Sequence, residues 1–181
     1  MSDRHIRYRE NTQSVKLATQ TLSDSVANAL EHLELTKRND DFEGCGPTAT
    51  YCKMLNKAFD ILNVRTRFSH KLKPYSMPLE EETKQSLKKG AEEIETYFRS
   101  LRNHKGVSIL TFRRKCAFIG FICCLRVIFP LFEILQTYKL KYLLTYKLLQ
   151  DHIENLFSAV RSCGGYNNNP SAYQFEHAIR K

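Results

Sequence analysis

The run from Cys116 to Leu135, CAFIGFICCLRVIFPLFEIL, constrains the fold more than any other part of the chain. Its length is close to that of a membrane-spanning helix. It also contains Arg126, Pro130 and Glu133, and each charge at membrane depth costs about 2.5–3.5 kcal/mol on insertion scales. The charges favour a helix buried in a protein core, kinked or ended near Pro130, whose ring removes a backbone donor. A helical membrane-associated protein with residues 116–135 in the bilayer is the rival. The amino terminus, MSDRHIRYRE, is charged throughout and is not a signal peptide. Six cysteines at irregular spacing, two of them adjacent in the apolar run, read as reduced thiols.

Elsewhere the apolar residues recur at helical spacing. Val15, Ala18, Leu22, Val26, Leu30 and Leu33 predict one amphipathic helix of about five turns. Thr48 is placed to cap a second helix with Tyr51, Leu55, Ala58, Phe59 and Leu62 on its inner stripe. Leu79 to His104 reads as a charged, solvated surface helix, opened by Glu80, Glu81 and Glu82. Its stripe is Leu87, Ala91, Ile94, Phe98 and Leu101, and Gly90 is a mild weak point. Leu148, Leu149, Ile153, Leu156, Phe157 and Val160 trace the apolar side of another helix. Gly164-Gly165 would end it, because glycine accepts left-handed backbone geometry. The chain is therefore expected to be all-α or nearly so. A hydrophobic content of 42% suffices for a core, and a formal charge of +9 suits a polyanion, nucleic acid first. Lys84, Lys88, Lys89, Arg99 and Arg102 and the triplet Arg113-Arg114-Lys115 are candidates to meet phosphate, while Phe68 to Pro78 reads as a basic, proline-bearing linker with Lys71 and Lys73.

Two pairs carry chemistry. Asp151 and Glu154 are three apart and share a helix flank, an arrangement that suits a divalent cation or polar ligand. Solvated acids, or partners of nearby Lys and Arg, are the alternative. Asn56 and Asp60 are four apart on one face. Asp60 either pairs with Lys57 or a nearby Arg, or accepts two hydrogen bonds from guanine N1 and N2 while the Asn56 amide donates to O6. The glycine-rich stretches EGCG and CGGY lack the G-x-x-x-x-G-K-[ST] framework, so any nucleotide is held by a site other than a P-loop.

The segment QDHIENLFSAVRSCGGYNNNPSAYQF resembles the signature of P-element-type DNA transposases, including the THAP-domain transposases. The likeness continues through VKLATQTLSDSVANAL, NKAFDILNVR, FIGF and YLLTYKL. The resemblance implies a helical GTP-binding insertion domain followed by the C-terminal helices of an RNase H-like core. It implies a polar extension over 1–14, the insertion domain over 15–140 and the core segment over 141–181. Glu154 matches the last metal-binding catalytic acid, Asp151 an acid of the nucleotide site, and Asn56 and Asp60 the guanine-recognising residues. GTP and Mg2+ are the implied cofactors. Transposon-end DNA is the implied partner, the nucleus the place of action, and a homo-oligomer is compatible with the family; no membrane is expected. The family's other two catalytic aspartates lie upstream of the insertion, and no C-x2–4-C pair marks a THAP zinc finger. The expected identity is a transposase remnant, truncated or domesticated, that is not catalytic alone. A domesticated module binding nucleic acid or protein is the alternative.

Overall fold

Helices account for the regular structure of the described residues, which are 3–11, 15–36, 40–68, 73–113 and 115–180 of a computed structural model. Lys71 of the basic linker and Arg114, a candidate phosphate contact, lie outside them. No strand occurs among the described residues, only two isolated antiparallel bridges, Leu79 with Leu143 and Arg102 with Ser108. The all-α expectation holds. The chain divides into two units, residues 1–145 and 146–181.

The first unit contains α1 (Asp3–Ile6), α2 (Val15–Thr21), α3 (Asp24–Glu31), α4 (Gly46–Leu62), α5 (Glu81–Ser100) and α6 (Cys116–Thr137). The periodic run from Val15 to Leu33 is two helices rather than one, and Ser23 divides them. Its backbone is extended, its hydroxyl donates to the Gln20 carbonyl at 2.8 Å, and the same oxygen accepts from Val26 N at 3.4 Å. One side chain thus closes α2 and caps α3. α4 starts at Gly46, before the expected Thr48, because Pro47 falls in the first turn, where its missing N–H costs nothing. Ala27, Ala49 and Cys52 form a small-residue contact that lets α3 lie close against α4.

α5 is a core helix, not the solvated helix its charge suggested. Leu87, Ala91, Ile94 and Phe98 are all buried. They meet Leu55, Ala58 and Ile61 of α4 and Ile122, Leu125, Ile128, Phe129 and Phe132 of α6. Gly90 is no weak point. A Cβ there would lie 2.6 Å from Cε1 of Tyr75, so glycine is what admits the ring.

α6 continues through Pro130 to Thr137, so of the two expected outcomes at Pro130 the helix end does not occur. Pro130 is exposed, so the helical bond it cannot donate is lost on the solvent side. By length and composition α6 is apolar enough to cross a membrane. Its inner face completes the core, while Ile119, Val127 and Ile134 are exposed on its outer side beside Cys116, Cys123 and Cys124. Both charges in the apolar run are paired with α5. Arg126 grips Glu95 through two nitrogens at 2.6 and 2.7 Å, and Glu133 meets Lys84 at 2.9 Å.

At the end of the first unit, Thr145 is only 2% exposed. Its hydroxyl donates to the Ile61 carbonyl at 2.7 Å and accepts from Val64 N at 3.1 Å. It therefore satisfies both a terminal carbonyl of α4 and the backbone just beyond it.

The second unit holds α7 (Asp151–Cys163) and α8 (Ala172–Ile179). Thr145–Leu148 is a 3-10 turn rather than part of the following helix. Gly164-Gly165 ends α7 as expected. Gly165 has φ +69, Tyr166 N donates to the Arg161 carbonyl at 2.8 Å, and Gly165 N to that of Ser162 at 3.4 Å, the pairing of a Schellman cap. Ser171 and Gln174 form a capping box that opens α8.

Replacing Thr145 with Val keeps the shape and strands both backbone groups. The expected loss is about 1–3 kcal/mol, read as a lower urea midpoint at unchanged slope. Arg126 first, and Arg99 after it, hold the Glu95 carboxyl below its ordinary 4.5 against the opposing effect of burial. Its stabilising contribution is present above that value and is lost as pH falls through the depressed one. Acid titration of thermal stability should therefore fall more steeply below about pH 4.5 in the native chain than in Glu95→Gln.

Candidate functional site

Asn56 and Asp60 stand on the same side of α4, as their spacing requires, and line an open cleft of about 970 Å3. That is the size of a nucleotide-scale pocket. Thr19 and Ser23 border it at the end of α2, Phe59 and Asn63 on and just after α4, and Lys73 and Ser76 from the turn before α5. The lining is mostly polar, with Phe59 as the large apolar surface.

Asp60 is the organising group. Asn56 Nδ2 donates to its Oδ2 at 3.0 Å, and Lys73 Nζ lies 3.4 Å from its Oδ1. A carboxylate only accepts, so the Asn56 nitrogen must be the atom that faces it, leaving the second N–H of that amide for an acceptor such as O6 and its oxygen for another donor. Among the described residues each Asp60 oxygen has one donor, with lone-pair capacity for a second. A ligand edge with two adjacent N–H groups matches what remains. Asp60 does not pair with Lys57, the neighbour suggested by sequence. Lys57 turns away to Glu93, and the cation on Asp60 comes from thirteen residues further along the chain.

Asp24, at the start of α3, was not foreseen as part of this neighbourhood. Partial burial first, then the negative charge of Asp60, hold its carboxyl above its ordinary value, with Lys53 and Lys73 opposing. No periodicity identifies Asp24, since it belongs to the break that Ser23 makes. Lys73 had a compositional signal only, as one cation in a basic linker.

Asp151 and Glu154 lie in the second unit, both in the first turn of α7. Negative charge there complements the helix dipole. Both side chains are exposed, and Glu154 Oε1 accepts from Gln150 Nε2 at 2.8 Å. Among the described residues no group of three His, Cys, Asp or Glu is placed to hold a metal ion. A two-ion centre needs several carboxylate ligands, so the residues present do not fit a resident metal by themselves; Glu154 offers a single ligand. His152, between the two acids, is half-buried, and its ring meets the Tyr146 ring edge-on, with centroids 4.8 Å apart. On the expected apolar side of α7 only Val160 is buried, while Ile153, Leu156 and Phe157 are 57%, 51% and 45% exposed. The basic residues of α5 are partly committed within the chain, Lys84 to Glu133 and Arg99 to Glu95.

Residues 1–75 match the TNP-like GTP-binding insertion domain, and residues 146–180 match the TNP-like RNase H C-terminal domain. Human DNA transposase THAP9 is 30% identical over 167 residues, which is 91% of this chain and 18% of that protein. The P transposase of Drosophila melanogaster is 29% identical over a match covering 100% of this chain and 23% of its own length. In the solved Drosophila P element transposase strand transfer complex, a chain superposes with a TM-score of 0.71 at 27% identity, covering 99% of this chain and 39% of that one. The chain thus spans about a fifth of the length of the two relatives.

Proposed function

Starting from a chain that is a relative of the P-element-type DNA transposases, carrying parts of their GTP-binding insertion and RNase H-like core, we propose that its cleft binds a guanine nucleotide through Asp60. The observation that carries this reading is the double anchoring of Asp60 by Asn56 and Lys73 inside a nucleotide-sized cleft. Guanine presents N1–H and N2–H side by side, and a fixed carboxylate accepts both. Adenine presents an acceptor at N1 and meets that carboxylate with repulsion. The Asn56 amide completes the edge, and Phe59 offers a face against which a planar base can rest. Asp151, in the second unit, is assigned by the family resemblance as an acid of a nucleotide site. No hydrolysis follows from these groups, and GTP acts as a structural ligand that organises the protein.

Residues 15–140 correspond to the insertion domain and 141–181 to the core segment, with 1–14 as its approach. Glu154 is the catalytic acid of that core, one ligand of a divalent metal centre that needs further carboxylates. The uncovered Ile153, Leu156 and Phe157 are the side by which α7 packs on the rest of such a core. Transposon-end DNA is the partner and the nucleus the place of action that this reading assigns, with a homo-oligomer compatible with it, and the chain's net charge of +9 is in keeping with that partner.

Titration of the purified chain with GTP should show saturable binding that ATP does not match. Asp60→Ala should weaken GTP by a hundredfold or so, about the value of charge-assisted hydrogen bonds to a base. Equal affinity for GTP and ATP would refute the assignment. In a strand-cleavage assay with magnesium or manganese, residues 1–181 alone should neither cut nor join DNA. Cleavage that Glu154→Ala abolishes would show that the chain assembles a working centre after all.

A further inference from the structure

The second anchor of Asp60 does not come from α4, so something must fix where it stands. Lys73 opens a turn in which Ser76 N donates to the Lys73 carbonyl at 3.1 Å, and both residues line the cleft. Between them is Tyr75, which does not line the cleft and whose half-buried ring packs against the core. There it lies over Gly90 of α5, so near that a Cβ would meet Cε1 at 2.6 Å and Cδ1 at 3.1 Å. Lys57 Nζ sits 4.1 Å from the ring centroid, and its Cε borders the same glycine, 3.2 Å from where a Cβ would stand. The Lys57 side chain is 11% exposed and pairs with Glu93 at 2.5 Å. Burial works against its charge, yet Glu93 and Tyr75 hold Lys57 above its ordinary value. The cation is therefore firmly present over the ring, where a partly desolvated cation–π contact is strong.

We propose that Tyr75 is a positioning residue for the base-recognising carboxylate, acting through Lys73; this rests on the nucleotide reading above. Adjacent residues of α4 then govern both oxygens of Asp60. Asn56 holds Oδ2 directly. Lys57 holds Oδ1 at one remove, by pinning Tyr75 and with it the turn that delivers Lys73. Gly90 is the space this arrangement requires. A carboxylate held by two donors is presented in one plane before the ligand arrives, and the ligand does not have to immobilise it.

The test uses the whole chain and two readouts. In the ligand-free protein, the Asn56 side-chain amide resonances report the position of Asp60. Tyr75→Ala and Lys73→Met should move them alike, the double variant should move them no further, and Tyr75→Phe should leave them nearly in place. In GTP titrations, Tyr75→Ala should weaken binding by about three- to tenfold, the cost of ordering a freed side chain. It should lower the preference for GTP over ATP and have no added effect in the Lys73→Met background. Gly90→Ala, which displaces the ring without removing it, should reproduce the loss if Tyr75→Ala does not fold. Additive effects of Tyr75→Ala and Lys73→Met, or an unmoved Asn56 resonance, overturn the proposal. A native chain that binds no GTP refutes the nucleotide reading, and the Asn56 resonances still decide the positioning role.

Discussion

The meeting of α4, α5 and α6 at Ile61, Ile94, Phe98 and Phe132, four side chains withdrawn almost wholly from solvent, is what the polar architecture hangs on. Burying such side chains contributes about 1.5–3 kcal/mol each, and it fixes helix faces as well as helix positions. With Ala58 and Ile61 turned inward, Asn56 and Asp60 can only point to the other flank of α4, into the cleft. With Ala91 and Ile94 turned inward, Gly90 and Glu93 flank the same contact from α5. The cleft is thus a by-product of core packing, and its carboxylate is a fixed object because the helix under it is.

The family likeness and this geometry support each other at different scales. Similarity to the transposases extends over nearly the whole chain, but a likeness of about 30% identity does not say which donor meets which acceptor. The structure supplies that for the cleft around Asp60 and not for the acids of α7, which stand exposed in the first turn of their helix. One candidate site has its local partners within the chain. The other offers one ligand where the chemistry calls for several.

What the sequence made legible follows from the range of the interactions involved. Helical spacing correctly placed Leu87, Ala91, Ile94 and Phe98 on the buried side of α5, and put Asn56 and Asp60 on one face, because both depend on neighbours three or four residues away. Gly164-Gly165 was legible for the same reason, since a cap is local chemistry. The break at Ser23 was not, because one hydroxyl overrode a periodicity that ran smoothly across it. Neither were the Lys73–Asp60 pair, the seat of Tyr75 over Gly90, nor the Thr145 hydroxyl on α4. Each joins segments distant in sequence, and nothing in either segment announces the other. Gly90 shows how this misleads: helix propensity alone reads it as a defect, and only the ring above it explains the glycine.

The outer side of α6 has a bearing on how the protein behaves in the tube. Cys116, Cys123 and Cys124 are unpaired and exposed on the helix that also exposes Ile119, Val127 and Ile134. Without reductant, air oxidation of these thiols would link copies covalently at an exposed apolar surface, and salt that screens the net charge of +9 would ease their approach. Reductant and ionic strength therefore set the apparent size of this molecule. An oligomer seen without the first, or at high values of the second, is a statement about thiols and screening before it is one about assembly.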